Sequence, residues 1–340
     1  MGRLDAWGRR LRYLAGRARA FDAGNLTRIA GRVAKRSGRA RPLIMIDMLW
    51  CAVRHEVNFQ DYAEWDFHTL TRRERATYMT SAKSNHLSQR WNAASHRQLF
   101  ADKAQFDERF AAHLGREVLD LRRASADELR AFLERHPRVV AKVADSLGGD
   151  GIEVYRSDGV GDPEAFRAAR LAGRQVLLEE FLTQHPDMTT LNPTSVNTLR
   201  VVTFLGDDGT VHRLVRVLRI GNGGDVDNFK AGGMYTVLDE TGRAQHPAID
   251  GDDRVFAAHP LSGTPIVGFR VPNWAAVEEL VDAIAREVPE IRYVGWDLAV
   301  TPTGAAVIEG NYNTGVFQLK PSVTGVREGL LPLYRSVIGF

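Results

Sequence analysis

Apolar residues recur along the chain with two periods, and each change of period marks a new element. Phe106, Phe110 and Leu114 repeat every four residues behind Asp102, which predicts a capped helix with Lys103 in its first turn. Ser125 and Glu128 form a capping-box pattern ahead of Leu129, Phe132 and Leu133, and His136-Pro137 ends that helix. Further helices are predicted at Pro163–Ala172 and after Asn273, where Trp274, Val277, Leu280, Val281, Ile284 and Val288 share a face. Period two appears in Arg138–Val143, with Val139, Ala141 and Val143 on one face and Lys142 on the other, and in Ile152–Tyr155. Gln175–Leu182 reads as a buried strand, and Asn197–Leu205 with Val211–Ile220 as a long hairpin about Gly206–Gly209. Residues 43–100, with the apolar run Leu43–Leu49, read as an irregular, mostly helical lobe, and 240–270 as loop.

Four stretches break these patterns in ways that suggest chemistry. In Gly295–Gly315, GWDLAVTPTGAAVIEGNYNTG, Val294, Trp296, Leu298 and Val300 face one way and Asp297 the other, while Glu309 closes the run Ala305–Ile308. A plain two-residue turn turns Asp297 and Glu309 to opposite faces. Convergence of the two acids therefore requires a wider or bulged turn within Thr301–Ala305. Converged, they form with Asn311 a hard-oxygen set suited to Mg²⁺; unconverged, they are solvated acids on a surface hairpin. Lys142 precedes Ser146–Gly151, and strand, glycine-rich turn, strand is either a phosphate cradle or simply a tight hairpin. The pair Glu179-Glu180 interrupts the apolar strand Gln175–Leu182, and buried carboxylates need partners. On the long hairpin Arg200 shares a face with Val202 and Phe204, Arg216 with Leu214 and Leu218, and Arg219 with Val215 and Val217. These arginines either snorkel to a sheet edge or supply fixed positive charge to a site. The glycine-rich stretch Gly221–Tyr235 reads as a loop over a site, with Asn228 and Lys230 as polar tips.

Composition narrows the choices. With 340 residues and 44% apolar content the chain can build a large core in two or three lobes. Its single cysteine, Cys51, excludes an internal disulfide framework and a multi-cysteine zinc site, and is expected to be core filler. The histidines of four His-Pro pairs, at 136, 185, 246 and 259, are turn punctuation without metal-ligand spacing. No apolar run is long enough for a transmembrane helix or a signal peptide, so the expected compartment is the cytoplasm. The net charge of +3 is uneven: residues 1–42 carry +10 and residues 43–340 carry −7. In that leader Leu4, Trp7, Leu11, Leu14 and Ala15 recur at helical spacing. The leader either packs on its own domain or touches a membrane surface or an acidic partner. Aromatics do not interleave with its charges, so no nucleic-acid partner is expected.

The order of the parts resembles the ATP-grasp fold: a lysine at a helix start, a lysine before a glycine-rich hairpin, paired glutamates in EEFL, an arginine-bearing hairpin, then Asp and Glu-x-Asn. The resemblance covers roughly residues 95–335. It is greatest to the sugar-transfer-associated branch, through Asp102-Lys103, the insertion before Asn197-Thr-Leu-Arg200 and the segment 227–233, DNFKAGG. It implies an α+β fold with two lobes whose antiparallel sheets close on ATP, preceded by a mostly helical segment. It implies phosphate contacts from Lys103 and Lys142 under Gly148, Gly149 and Gly151. Adenine would meet Glu179, Glu180 and the backbone of Phe181 and Leu182, and the ribose would meet Asn197. Asp297, Glu309 and Asn311 would bind Mg²⁺. Arg200, Arg216 or Arg219, and Lys230 would face the transferred phosphate and an acid substrate.

The expected partition is a leader (1–42), an N-terminal lobe (43–100), a small lobe (101–185) and a large lobe (186–340). The expected activity is ATP- and Mg²⁺-dependent ligation of a carboxylate to an amine through an acyl phosphate. A small-molecule phosphotransferase or a non-catalytic nucleotide-binding protein are the alternatives.

Overall fold

The computed structural model describes residues 21–144, 151–223 and 232–339, together with Gly16. The chain divides into two compact units, one made of residues 1–91 with 313–340 and the other of residues 92–312. The last 28 residues thus belong with the helical unit and not with the lobe that the sequence partition assigns them to. Among the described residues no helix is long and apolar enough to cross a membrane.

The first unit is helical. Asp22 caps the helix Ala23–Ser37 by accepting from the Asn25 amide, and Gly38 ends it in the left-handed region at φ 70°. That helix buries Leu26, Ile29, Ala30 and Val33. The apolar run at 43–49 is part of a longer helix, Arg41–His55, whose buried face carries Ile44, Met48, Cys51, Ala52 and His55. Cys51 is core filler with no disulfide partner, as the composition suggests. Asp66 is buried between Arg36 at 3.0 Å and Lys320 at 3.3 Å, which ties the C-terminal segment into this unit. The leader's stripe at 4–15 lies outside the described residues.

The second unit is built on two antiparallel sheets. β1 (Val118–Asp120), β2 (Arg138–Val143), β3 (Glu153–Arg156) and β4 (Gln175–Glu180) form the smaller, in the order β1-β4-β2-β3. Its core is Leu121, Val139, Ala141 and Leu178 against Leu129, Phe132 and Leu133 of the helix Ala126–Arg135. The capping box read from Ser125 and Glu128 starts that helix.

The larger sheet contains β5 (Thr198–Leu205), β6 (Val211–Ile220), β7 (Met234–Val237), β8 (Ala248–Asp250), β9 (Val255–Phe256), β10 (Tyr293–Thr301) and β11 (Gly304–Asn311). Their order is β11-β10-β5-β6-β7-β8-β9, so the stretch 240–270 is not all loop. Val277, Val281 and Ile284 of the helix Trp274–Ile284 join Leu199, Val201, Trp296 and Leu298 in one core. Asn273 precedes that helix, yet its side chain donates to the Thr301 carbonyl at 2.9 Å and does not cap. Phe100 and Phe110 pack on Trp296 with ring centroids 5.9 and 5.6 Å away.

Two corners press on the edge strand β11. A Cβ on Gly310 would lie 2.8 Å from the Phe100 ring, and one on Gly115 would lie 2.8 Å from the Ala306 Cβ. Gly115 also has φ +59°, where an L side chain is strained. Gly115→Ala is expected to destabilise the protein by about 1–3 kcal/mol through overpacking and backbone strain. Urea denaturation measures this, and an unchanged midpoint would contradict the close approach of this corner to β11.

Candidate functional site

Asp297 sits in β10 directly opposite Glu309 in β11 and, on its other side, opposite Arg200 in β5. The hairpin turn is a plain two-residue one, Pro302-Thr303, because Thr301 pairs with Gly304. The extra residue that brings the acids together is Ile308, a bulge in the strand: Asp297 pairs with Glu309 and Leu298 with Val307. The expected convergence is therefore present, but the bulge lies in β11 and not in the 301–305 turn.

The acids are in unequal fields. Arg200 grips Asp297 with two bonds, Nε to Oδ1 at 2.5 Å and Nη2 to Oδ2 at 2.7 Å, and Arg219 Nη1 lies 3.1 Å from Oδ2. Burial alone would raise the Asp297 carboxyl, but these two guanidinium groups overcome it and hold it well below the usual range. Burial pushes Glu309 the other way, and the adjacent Asp297 charge and their mutual hydrogen bond add to the rise. Asn311 Nδ2 donates to Glu309 Oε1 at 3.1 Å and to the Gly295 carbonyl at 3.4 Å. Two hydrogen-bonded carboxyl groups, one inclined to keep its proton, with an amide beside them, form a donor set that a divalent cation fits by taking the proton's place.

A second charged cluster lies on the smaller sheet. Glu179 is buried, and its Oε2 accepts from Lys142 Nζ at 2.6 Å and from Arg116 Nε at 2.6 Å. Burial opposes its ionisation, but Arg116 and Lys142 bring it down to about 2. Arg116 also donates through Nη1 to the Leu114 carbonyl at 3.0 Å and to the Val307 carbonyl at 2.8 Å, beside the bulge. Its guanidinium thus links the two sheets. Asp107 stands 4.0 Å from Arg116 Nη2, its Oδ2 is buried without a hydrogen bond among the described residues, and burial followed by the Glu179 charge pushes it up to about 7. Burial pulls Lys103 below the usual lysine range, and Glu309 is the largest force acting against that. Lys103 is therefore within electrostatic reach of Glu309 as well as of Lys142 and Glu179.

A cavity of about 400 Å³ opens beside the cluster of Arg116, Lys142 and Glu179. Val140, Ile152, Phe181 and Leu182 make its apolar wall, Lys142 and Glu179 its charged end, and Thr198 and Ile308 bring in the larger sheet. Glu180 lines it too, accepting from the Glu117 amide at 3.1 Å. The Phe181 amide is engaged by the Arg138 carbonyl at 3.1 Å, and the Arg138 guanidinium lies 3.6 Å from the Phe181 ring centroid.

A family model described as sugar-transfer-associated ATP-grasp matches residues 82–328. The chain belongs to this family. Structures similar to this ATP-grasp chain include the D-cycloserine synthetase DcsG, with 13% identity, 82% of this chain and 80% of that chain covered, and a TM-score of 0.43. The ATP-grasp ligase PsnB complexed with minimal precursor, Mg and ADP shows 18% identity over 78% and 67% of the two chains, with a TM-score of 0.42. N5-carboxyaminoimidazole synthetase from Staphylococcus aureus complexed with ADP shows 11% identity and a TM-score of 0.41. The match covers 69% of this chain and spans about half, 51%, of that one. No curated protein matches the sequence.

Within this ATP-grasp chain two expected site residues point elsewhere. Arg216 Nε bonds Glu278 Oε1 on the helix Trp274–Ile284 at 2.9 Å, on the face away from Asp297, where Arg213 joins it at 2.8 Å. Of the two arginines left open, Arg219 reaches the acids. Asn197 is fully buried, its Nδ2 donating to the Met188 carbonyl at 2.8 Å and its Oδ1 accepting from the Gly221 amide at 3.2 Å. It fastens the linker and does not line the cavity. Gly151 is present with φ +74°, next to Val143, whereas Gly148, Gly149 and Lys230 lie outside the described residues. Sequence reasoning missed Arg116 and Asp107. The only signal for Asp107 was its position four residues after Lys103, on a helix whose phenylalanines face inward; Arg116 sits in a turn with no periodicity.

Glu309 and Asp107 hold their protons more tightly in the folded chain than in the unfolded one. Their contribution to stability is complete below about pH 4 and is lost as pH rises through the folded values. For Asp107 that window runs from about 4 to about 7. Asp297 acts oppositely, its contribution being lost only under more acid conditions. Asp107→Asn is expected to flatten the decline of stability between those limits in ligand-free urea titrations. An unchanged pH slope counts against the raised Asp107.

Proposed function

We propose that this chain is an ATP- and Mg²⁺-dependent ligase that joins a carboxylate to an amine through an acyl phosphate. The observation that carries this reading is a cation-lined cavity in the same unit as a buried, converged acid pair. Lys142, Arg116 and Glu179 line the cavity with Ile308, and the next residue, Glu309, pairs with Asp297, which Arg200 and Arg219 hold.

In this reading the apolar wall of Val140, Phe181 and Leu182 takes the adenine, and Lys142 and Lys103 take the phosphates. Asp297, Glu309 and Asn311 hold the magnesium, which when bound neutralises charge on the triphosphate. The substrate carboxylate oxygen forms a bond to the γ-phosphorus while the bond to the β-γ bridging oxygen breaks, and ADP leaves. Arg219 and Arg200 face the negative charge that spreads over the transferred group, so their fixed positive charge favours the transition state. The amine then attacks the acyl carbon, inorganic phosphate leaves and the amine releases a proton. No protein nucleophile is required. Apart from Arg200 and Arg219, the chain contributes the charges of Lys142 and Lys103 and the apolar wall of the cavity.

A screen of carboxylate and amine pairs that reads ADP and inorganic phosphate separately tests the reaction class. Equal release of both is expected, whereas ADP without phosphate would indicate a stable phosphoryl product and reject ligation. On the pair found, Glu309→Gln and Arg219→Ala are each expected to lower ADP release by about 10²–10³-fold. Arg216→Ala, which loses only its contact with the outer helix, is expected to stay within about twofold. Parental turnover in Glu309→Gln would remove the metal assignment.

A further inference from the structure

The first unit carries a feature that the ligase reading does not use. The helix Arg41–His55 buries one face, but Leu43 and Ile46 on the other are 64% exposed, and Leu49 and Trp50 are 41% and 38% exposed. Positions 43, 46 and 50 follow helical spacing, so they line up as a stripe on the outer side. Four large apolar side chains on one exposed helix face exceed what a surface ordinarily scatters singly, and such a patch marks a contact.

The charge around the stripe selects the partner. Residues 1–91 and 313–340 together carry +12, and the other unit carries −9. Among the described residues of the first unit the exposed acids are Asp22 and Glu328, against eleven exposed lysines and arginines. Asp47, the acid on this helix, is neutralised by two bonds from Arg75 at 2.7 Å and one from Tyr62 at 2.6 Å. Arg54 lies one turn beyond Trp50, the Arg72 guanidinium lies 5.6 Å from the Trp50 ring, and Arg39 and Arg41 stand exposed at the helix start. A second copy docked on the stripe would bring these like charges together, which disfavours a two-fold pairing. An apolar stripe ringed by cations, with a tryptophan at its edge, is complementary to a surface that is apolar beneath and anionic above.

We propose that this face docks on an anionic lipid surface, with Leu43, Ile46 and Trp50 entering the acyl boundary and Arg54 and Arg72 meeting the headgroups. The assignment is independent of the reaction in the second unit.

The test is co-sedimentation of the full chain with phosphatidylcholine vesicles, with or without phosphatidylglycerol, at low and physiological salt. Binding to the phosphatidylglycerol vesicles is expected, weakened by salt and at least about tenfold weaker to phosphatidylcholine alone. The double variant Leu43→Ser with Ile46→Ser, both at exposed positions, is expected to lose about tenfold or more of that binding, with thermal unfolding and ADP binding unchanged. Absence of binding to anionic vesicles overturns the proposal. So does binding that the double variant retains in full, because the attachment then lies elsewhere. A dimer in sedimentation velocity that the double variant dissolves, without vesicle binding by the parent, assigns the face to a second copy instead.

Discussion

The buried carboxylate of Asp297 constrains much of the second unit. An ion of this kind costs several kcal/mol to desolvate, and it stays ionised only where fixed opposite charges stand against it. Arg200 is its cross-strand neighbour on β5, and Arg219 comes from the next strand, opposite Thr198. A misregistered strand among β10, β5 and β6 would leave either a buried acid or a buried guanidinium without its partner. The arginines also make the site asymmetric. They favour ionisation of Asp297, and the resulting charge helps Glu309 beside it to keep a proton. The pair therefore carries its negative charge on Asp297 and its proton on Glu309.

Arg116 performs the analogous task between the sheets. One side of its guanidinium satisfies Glu179 on β4, and another holds the Val307 carbonyl of β11 next to the bulge. Arginine suits this place because its planar fork keeps several donors in fixed directions and remains charged when buried. The corner at Gly115 is what lets it approach, since any side chain there would collide with Ala306. Lys142 then adds positive charge to a cavity walled in part by Val140, Ile152, Phe181 and Leu182, a combination suited to a polyanion attached to a flat ring.

Much of this was legible in the order of residues. The caps at Asp102 and Ser125, the strand around Lys142, the long hairpin and the helix after Asn273 all follow from local periodicity and capping chemistry, which depend on neighbours a few residues away. Lys142, Glu179, Asp297 and Glu309 stood out because each is a charge set into an apolar alternation. The alternation of β6 also required Arg216 and Arg219 to face opposite ways. It could not say which of them faced the acids, because the helix bearing Glu278 lies more than sixty residues further along.

The hairpin shows the same division. From sequence alone, pleat parity determined that Asp297 and Glu309 could meet only if one extra residue were inserted between them. Tertiary structure decided that this residue is Ile308, within β11, and that the turn stays tight. Parity is a property of one strand's backbone and can be counted along the chain. The position of a bulge, the face that becomes the site and the partner of each buried charge are set by contacts such as Asp297 with Arg200, 97 residues apart, and Arg116 with Val307, 191 apart. Local patterning carries no record of such distances, because their energy exists only once the sheets have formed.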